Sequence, residues 1–280
     1  MNTKKHKSRK PAVAGMFYPG TKQQLEETVA HYLQKAQTVD LPIKKLYGLI
    51  APHAGYVYSG GVAASGYRLL KDFPMRTVLI IAPSHSEPFD YISVYEGEGY
   101  ETPLGEIPVA TPICEQLVQN STVAEFSENG HRSEHSLEVQ LPFLQLVLGE
   151  TFRIVPVVVG AAQLHTLNEF ARNLAKIANE NPFLVIASSD LSHYHSYNTA
   201  NRKDRHLIGL LEDYDLDFLE KGYRDRSLEA CGLGPILILM NYARLIGKPQ
   251  CRQIQYQNSG DVSGMKSQVV GYLSAAVFES

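Results

Sequence analysis

Four short apolar runs constrain the fold of this chain more than any other feature. They lie at residues 47–51, 77–82, 152–159 and 183–187. None alternates polar with apolar residues, so a strand made from any of them has to be covered on both faces. Between the last two, Leu164, Leu167, Phe170, Leu174 and Ile177 recur every three or four residues, the spacing of an amphipathic helix. Doubly covered strands separated by helices predict an α/β fold around a mainly parallel sheet. Thr21 with Gln24 resembles a capping box ahead of Leu25, Val29 and Leu33, which predicts an early helix. Residues 252–257 and 271–278 predict two strands at a sheet edge. No repeat, low-complexity segment or linker interrupts the chain. Its 280 residues therefore read as a single domain over 11–280 behind a basic tail at 1–10.

Charge and composition remove several function classes. The net charge is −3 and the isoelectric point about 6.4, so no global basic field exists to hold nucleic acid. Lys4, Lys5, Lys7, Arg9 and Lys10 form the one basic cluster, read as a frayed, solvated tail. No apolar stretch reaches the ~18 residues a membrane-spanning helix needs. The charged start is not followed by an apolar run, so a signal peptide is not expected and the cytoplasm is the expected compartment. Three cysteines are too few for a disulfide scaffold. Cys114 falls within a helical apolar pattern and reads as core, and Cys251 has no evident partner.

Chemistry is expected where the strands end, because open α/β sheets bind ligands beyond the carboxyl ends of their strands. Three of the runs exit into histidine-bearing turns. These are Ala51-Pro-His53-Ala-Gly-Tyr56, Ala82-Pro-Ser-His85 and Ser188-Ser-Asp190-Leu-Ser-His193-Tyr-His195. Pro52 and Pro83 stop their strands and fix the turns that aim His53 and His85. His135 lies in Arg132-Ser-Glu-His-Ser-Leu-Glu138, read as a helix start capped by Ser133, with Glu134 and Glu138 favouring the dipole and Pro142 breaking the helix further on. Cys231-Gly-Leu-Gly-Pro235 precedes a helix over 236–246, a position that lowers thiol pKa and makes Cys231 the expected reactive cysteine. Phosphate-loop, nucleophile-elbow, His-Glu-x-x-His and Cys-x-x-Cys patterns are absent from the sequence. Two or three histidines and one thiolate remain, a donor set compatible with Fe(II), Zn(II) or copper.

Five ordered motifs carry a resemblance: APHAGY at 51–56, APSH at 82–85, EHSLEVQLPFL at 134–144, SSDLSHY at 188–194 and CGLGPI at 231–236. Together with PAVAGMFYPG at 11–20 and NSGDVSG at 258–264, they look like the Memo family, whose prokaryotic members are protein B of the AmmeMemoRadiSam system. That family resembles the class III extradiol dioxygenases of the protocatechuate type. The resemblance implies an α/β/α sandwich around a mixed, mainly parallel sheet. It implies a metal, Fe(II) first and Cu or Zn as alternatives, held by His53, His85 and Cys231. Cys231 matches the position where the dioxygenases carry a glutamate. His193 is implied as a general acid or base, Asp190 as a group orienting an imidazole, and His135 as a wall of the pocket. The function implied is a metal-dependent oxidoreductase of small molecules, an aromatic diol being the inherited substrate. A binding module holding peptide or acidic ligands in the same cleft is the alternative, and a zinc hydrolase the third. Implied partners are an Ammecr-type protein and a radical SAM enzyme, with no nucleic acid and no membrane.

Overall fold

The computed structural model describes residues 6–73 and 75–280. The first half runs β1 (Ser8–Arg9), α1 (Lys22–Lys35), β2 (Lys45–Ala51), α2 (Tyr56–Tyr67), β3 (Thr77–Pro83), β4 (Ile92–Val94), β5 (Gly99–Thr102), β6 (Gly105–Pro108), α3 (Thr111–Gln119), β7 (Ala124–Phe126) and α4 (Leu141–Leu148). The second runs β8 (Arg153–Val159), α5 (Leu164–Ala178), β9 (Leu184–Ser188), β10 (Asp190–His195), α6 (Tyr197–Glu212), α7 (Leu216–Asp225), α8 (Leu233–Ile246), β11 (Gln250–Asn258), α9 (Ser259–Ser263) and β12 (Val269–Glu279).

The four apolar runs become β2, β3, β8 and β9, which lie side by side in the order β2-β9-β3-β8 and are all parallel. Every residue of β9, and all but the first of β2, β3 and β8, is buried. Helices α1, α2 and α4 cover one face of the sheet, and α5, α7 and α8 build the other layer. The chain is therefore an α/β/α sandwich around a mixed sheet. β12 joins antiparallel to β2, and β4 antiparallel to β8. A small separate sheet takes the order β1-β5-β6. No helix among the described residues is long and apolar enough to cross a membrane.

Several local expectations are corrected. β12 is not an edge strand: it pairs β11 on one side and β10 and β2 on the other. Its nearly continuous burial matches that interior place, whereas β11 interleaves exposed residues. Thr21 occupies the N-cap of α1, but its hydroxyl bonds Gln24 Oε1 at 3.0 Å and caps no amide. Pro142 does not break α4; it sits in the first turn, where its missing N–H leaves no bond unmade.

The basic segment is not a frayed tail where it is described. Lys4 and Lys5 lie outside the described residues. Arg9 is buried, pairs with β5 through β1, and forms an ion pair with the fully buried Glu138. Its other nitrogens donate to the carbonyls of His131 and Glu134 at 2.8 and 2.7 Å. Glu138 is thus no dipole-facing surface residue. Besides Arg9 it accepts the amides of Ala12 and Val13 and the Tyr18 hydroxyl.

His131 lies beneath this strap, fully buried. Its Nε2 donates to the Ser93 carbonyl at 3.3 Å, so Nδ1 is the acceptor for the Tyr100 hydroxyl at 2.6 Å. A neutral ring satisfies both partners. Burial, with help from the Arg9 guanidinium, lowers its pKa to about 3. A folded pKa below the unfolded value means that the unfolded chain takes up the proton first. This contribution is complete above pH 6.5 and is lost as pH falls toward 3, at up to ~1.4 kcal/mol per pH unit. Urea midpoints measured from pH 7 to pH 4 are expected to fall less steeply for His131→Gln than for the parent. An equal slope in both proteins would show that His131 protonates as readily folded as unfolded.

Candidate metal centre

Because β2, β9 and β3 run parallel, their carboxyl ends open on one edge of the sheet. His53, Asp190 and His85 each stand two residues beyond the last residue of their strand. The two strands that end in Ala-Pro-bearing turns, β2 and β3, are not neighbours. β9 lies between them and brings Ser188 and Asp190 into the gap.

Ser188 fixes the tautomer of His53. Its hydroxyl donates to the Ser136 carbonyl at 2.7 Å, which uses its single proton. Gln140 Nε2 donates to the same oxygen at 2.8 Å and to the Pro52 carbonyl at 3.0 Å, while Gln140 Oε1 accepts the Tyr67 hydroxyl. His53 Nδ1, 2.8 Å from Ser188 Oγ, must therefore carry the proton. The Nε2 lone pair is left facing the cleft. Burial, then the neighbouring His85 and His135, holds the His53 pKa well below its ordinary value, so the ring stays neutral.

A carboxylate does the same for the other two rings. Glu134 is almost wholly buried and accepts the main-chain amides of His85, Ser86, His135 and Ser136. The Nδ1 atoms of His85 and His135 each lie 3.1 Å from its Oε1. Burial opposes its ionisation, but the His135 and His85 hydrogen bonds outweigh that and hold the carboxyl well below the usual range. His135 is not on a helix, and Ser133 caps none: residues 131–137 form a loop wrapped around Glu134. Phe17 packs on the His135 ring at a centroid distance of 4.6 Å.

The three ring centroids lie 5.0–5.5 Å apart, and one ligand atom from each of His53, His85 and His135 falls within 4.8 Å of the others. Cys231 does not belong to that mutual set but touches it, with Sγ 3.1 Å from His53 Nε2. The loop reaches β9 through Gly232, where a Cβ would lie 2.1 Å from the Ser188 carbonyl oxygen. Cys231 and Asp190 exchange main-chain contacts: Cys231 N donates to Asp190 O, and Asp190 N to Cys231 Sγ, both at 3.2 Å. Burial, reinforced by Asp190, pushes the Cys231 thiol well above its ordinary pKa. The expected lowering by the helix start is thus overturned, since a thiolate at this half-buried place loses more solvation than the helix terminus returns. Cys114 and Cys251 are buried, and their thiols are pushed up to about 12.

Asp190 anchors the His53 turn, accepting the His53 amide at 2.8 Å, and burial raises its pKa to about 6. His193 sits on β10 between two register shifts, which re-aim the strand, and the next residue, Tyr194, has φ 60° and is exposed. His193 Nδ1 donates to the Leu191 carbonyl at 2.8 Å, so its Nε2 is free as well. Burial first, and then the neighbouring His85 imidazole, lower its pKa. His195 is occupied elsewhere, by Glu229 at 2.6 Å. Ser188 and Gln140 were not singled out in the sequence, and Glu134 was read there only as a dipole partner. The one local signal was an acid and a histidine adjacent in a loop segment, Glu134-His135.

A family model described as "Memo-like protein" matches residues 9–276. The chain belongs to the Memo family. It is 37% identical to a MEMO1 family protein of Thermoplasma volcanium, over 95% of this chain and 97% of the other. A MEMO1 family protein of Thermotoga maritima is 38% identical, over 96% and 99%. In fold it is similar to an uncharacterized protein of Escherichia coli K12, with a TM-score of 0.55 and 14% identity over 82% of this chain and 99% of that one.

In this Memo-family chain the two orienting groups differ in charge, and they are separable by substitution. Glu134→Gln leaves seven donors, the Ser86 hydroxyl included, facing a neutral amide that is itself half donor. It is expected to cost about 3 kcal/mol in urea unfolding. Ser188→Ala is expected to cost about 1 kcal/mol and to release the His53 tautomer, seen as a second Nδ1/Nε2 pattern in nitrogen NMR of the imidazoles. A single unchanged tautomer in Ser188→Ala would show that Ser188 does not set it.

Proposed function

We propose that this chain is a metal-dependent oxidoreductase. In this reading one divalent transition-metal ion, Fe(II) first and Cu or Zn as alternatives, is held by His53, His85 and His135, with Cys231 as a further donor. The observation that carries the reading is the set of three histidine ligand atoms within 4.8 Å of one another. Donors to one ion at about 2.1 Å are at most about 4.2 Å apart, so shifts of under about an ångström gather these three. Imidazoles with Nδ1 committed to Ser188 or Glu134 have Nε2 left to present to a metal. Cys231 would give up its proton on binding, as thiol ligands do. Bound there, such an ion supplies Lewis acidity and, for iron or copper, electron transfer to a small substrate.

The surrounding residues have separate tasks in this reading. Asp190 keeps the His53 turn in place through the His53 amide. His193, half-buried and with a free Nε2, is the group able to take or give a proton beside the ion. With four protein donors a tetrahedral zinc site would be filled, whereas iron would keep open positions for substrate.

The test is Fe(II) affinity under anaerobic conditions for the parent and for His53→Ala, His85→Ala, His135→Ala and Cys231→Ala. Each histidine change is expected to weaken binding by more than about 100-fold, and Cys231→Ala by about tenfold. Four variants that bind iron as the parent does would sink the proposal. For the reaction, iron-loaded protein is expected to take up dioxygen in the presence of catechol, and His193→Ala to slow uptake while keeping the iron. No uptake with catechol would remove the aromatic diol as substrate.

A further inference from the structure

Beside Cys231, on the side of α5 and α8, lies a cavity of about 630 Å³, a volume suited to a small molecule. The charged side chains on its walls are two exposed arginines. His165 on α5, Arg224 at the end of α7 and Arg226 just beyond it line the cavity, and no Asp or Glu does. Among the described residues, the arginines within 4 Å of a carboxylate are Arg9 and Arg132; neither cavity arginine is paired. Asp225, between them in sequence, turns its carboxylate to the Ser227 amide at 3.0 Å. Arg226 ends α7 in the left-handed region at φ 58°, a position where glycine is usual. Helices α5 and α8 both begin at the cavity wall, at Leu164 and Leu233. Neither has a side-chain cap or an acidic residue in its first turn. Two free guanidinium groups and two unneutralised helix starts give the cavity more positive charge than one carboxylate would balance.

We propose that this cavity is the subsite for a doubly charged oxyanion group on a small-molecule ligand, the rest of which reaches past Cys231 toward the histidine cluster. Cys231 joins the two places, lining the cavity while its sulfur touches His53. The proposal rests on the metal-centre reading only for what happens at the far end of the ligand. Anion capture needs no metal.

The experiment is a titration of metal-free, full-length protein with inorganic phosphate at pH 7.5 and constant ionic strength, followed by NMR of the histidine ring protons. A saturable shift of His165 is expected with phosphate, and none with acetate at the same concentrations. Arg224→Ala and Arg226→Ala are each expected to weaken binding by about tenfold, and the double change by about 100-fold or more. Lys221→Ala, on α7 but outside the cavity, is expected to leave binding unchanged. The proposal is overturned if the His165 shift does not saturate, if acetate matches phosphate, if the shift survives the double arginine change, or if Lys221→Ala weakens binding as much as the arginine changes do. Fe(II) affinity of the double variant, measured separately, is expected to stay at the parental value, so failure of the metal reading and failure of the anion subsite are seen in different experiments.

Discussion

One buried carboxylate holds the site together. Glu134 takes amides from two segments far apart in sequence, 85–86 and 135–136, and both nearby imidazole Nδ1 atoms face the same oxygen. A carboxylate out of water is tolerable only when its lone pairs are used, so these partners cannot leave one at a time without cost. The turn after β3 and the loop before α4 therefore behave as one body. His53 reaches the same state by a neutral route, through Ser188 and the Gln140 amide. Two unlike devices leave three rings with the same nitrogen exposed.

The same loop is held from behind by the N-terminal strap. Arg9 and Glu138 are 129 residues apart in sequence and both buried, and around them close the amides of residues 12 and 13, the Tyr18 hydroxyl and two loop carbonyls. Removing one member would leave the other as an unpaired buried charge, a loss of about 3–5 kcal/mol. The strap also delivers Phe17 onto His135. A segment whose composition reads as a solvated tail is thereby part of the wall of the site.

What was legible in the sequence is what depends on near neighbours. The unbroken runs gave β2, β3, β8 and β9, and the helical period gave α5, because continuous apolarity is a local consequence of double burial. The repeated Ala-Pro-His exits pointed to His53 and His85, since a strand end and a proline fix an exit direction locally. Glu134 and Glu138 were not legible. On a helix start both read as dipole partners, and only the fold shows that each sits in a nest of donors supplied from elsewhere. β12 escaped for the same reason, its interior place being decided by β10, β2 and β11. Cys231 shows the limit in energetic form: the helix start was visible, but the desolvation that outweighs it was not.

The resulting arrangement has an unbalanced centre. Three imidazoles each bring a ligand atom to one place, and the neighbouring group with a proton to offer the neutral His53 ring is the Cys231 thiol, a weak donor. Protonating His53 would supply a further donor, but burial and the two adjacent imidazoles oppose it. A buried imidazole that resists protonation, with two more rings beside it, is the arrangement that the proposed metal ion would satisfy by accepting several lone pairs at once. In the reading proposed above, such an ion would bind the folded chain far more tightly than the unfolded one, where residues 53, 85, 135 and 231 are scattered. Its affinity would then add to stability as RT ln(1 + [M]/Kd), about 2.7 kcal/mol at a hundredfold excess over Kd. The strap, the Glu134 loop and the strand ends are held by protein contacts alone, so the ion would meet a formed site rather than create one.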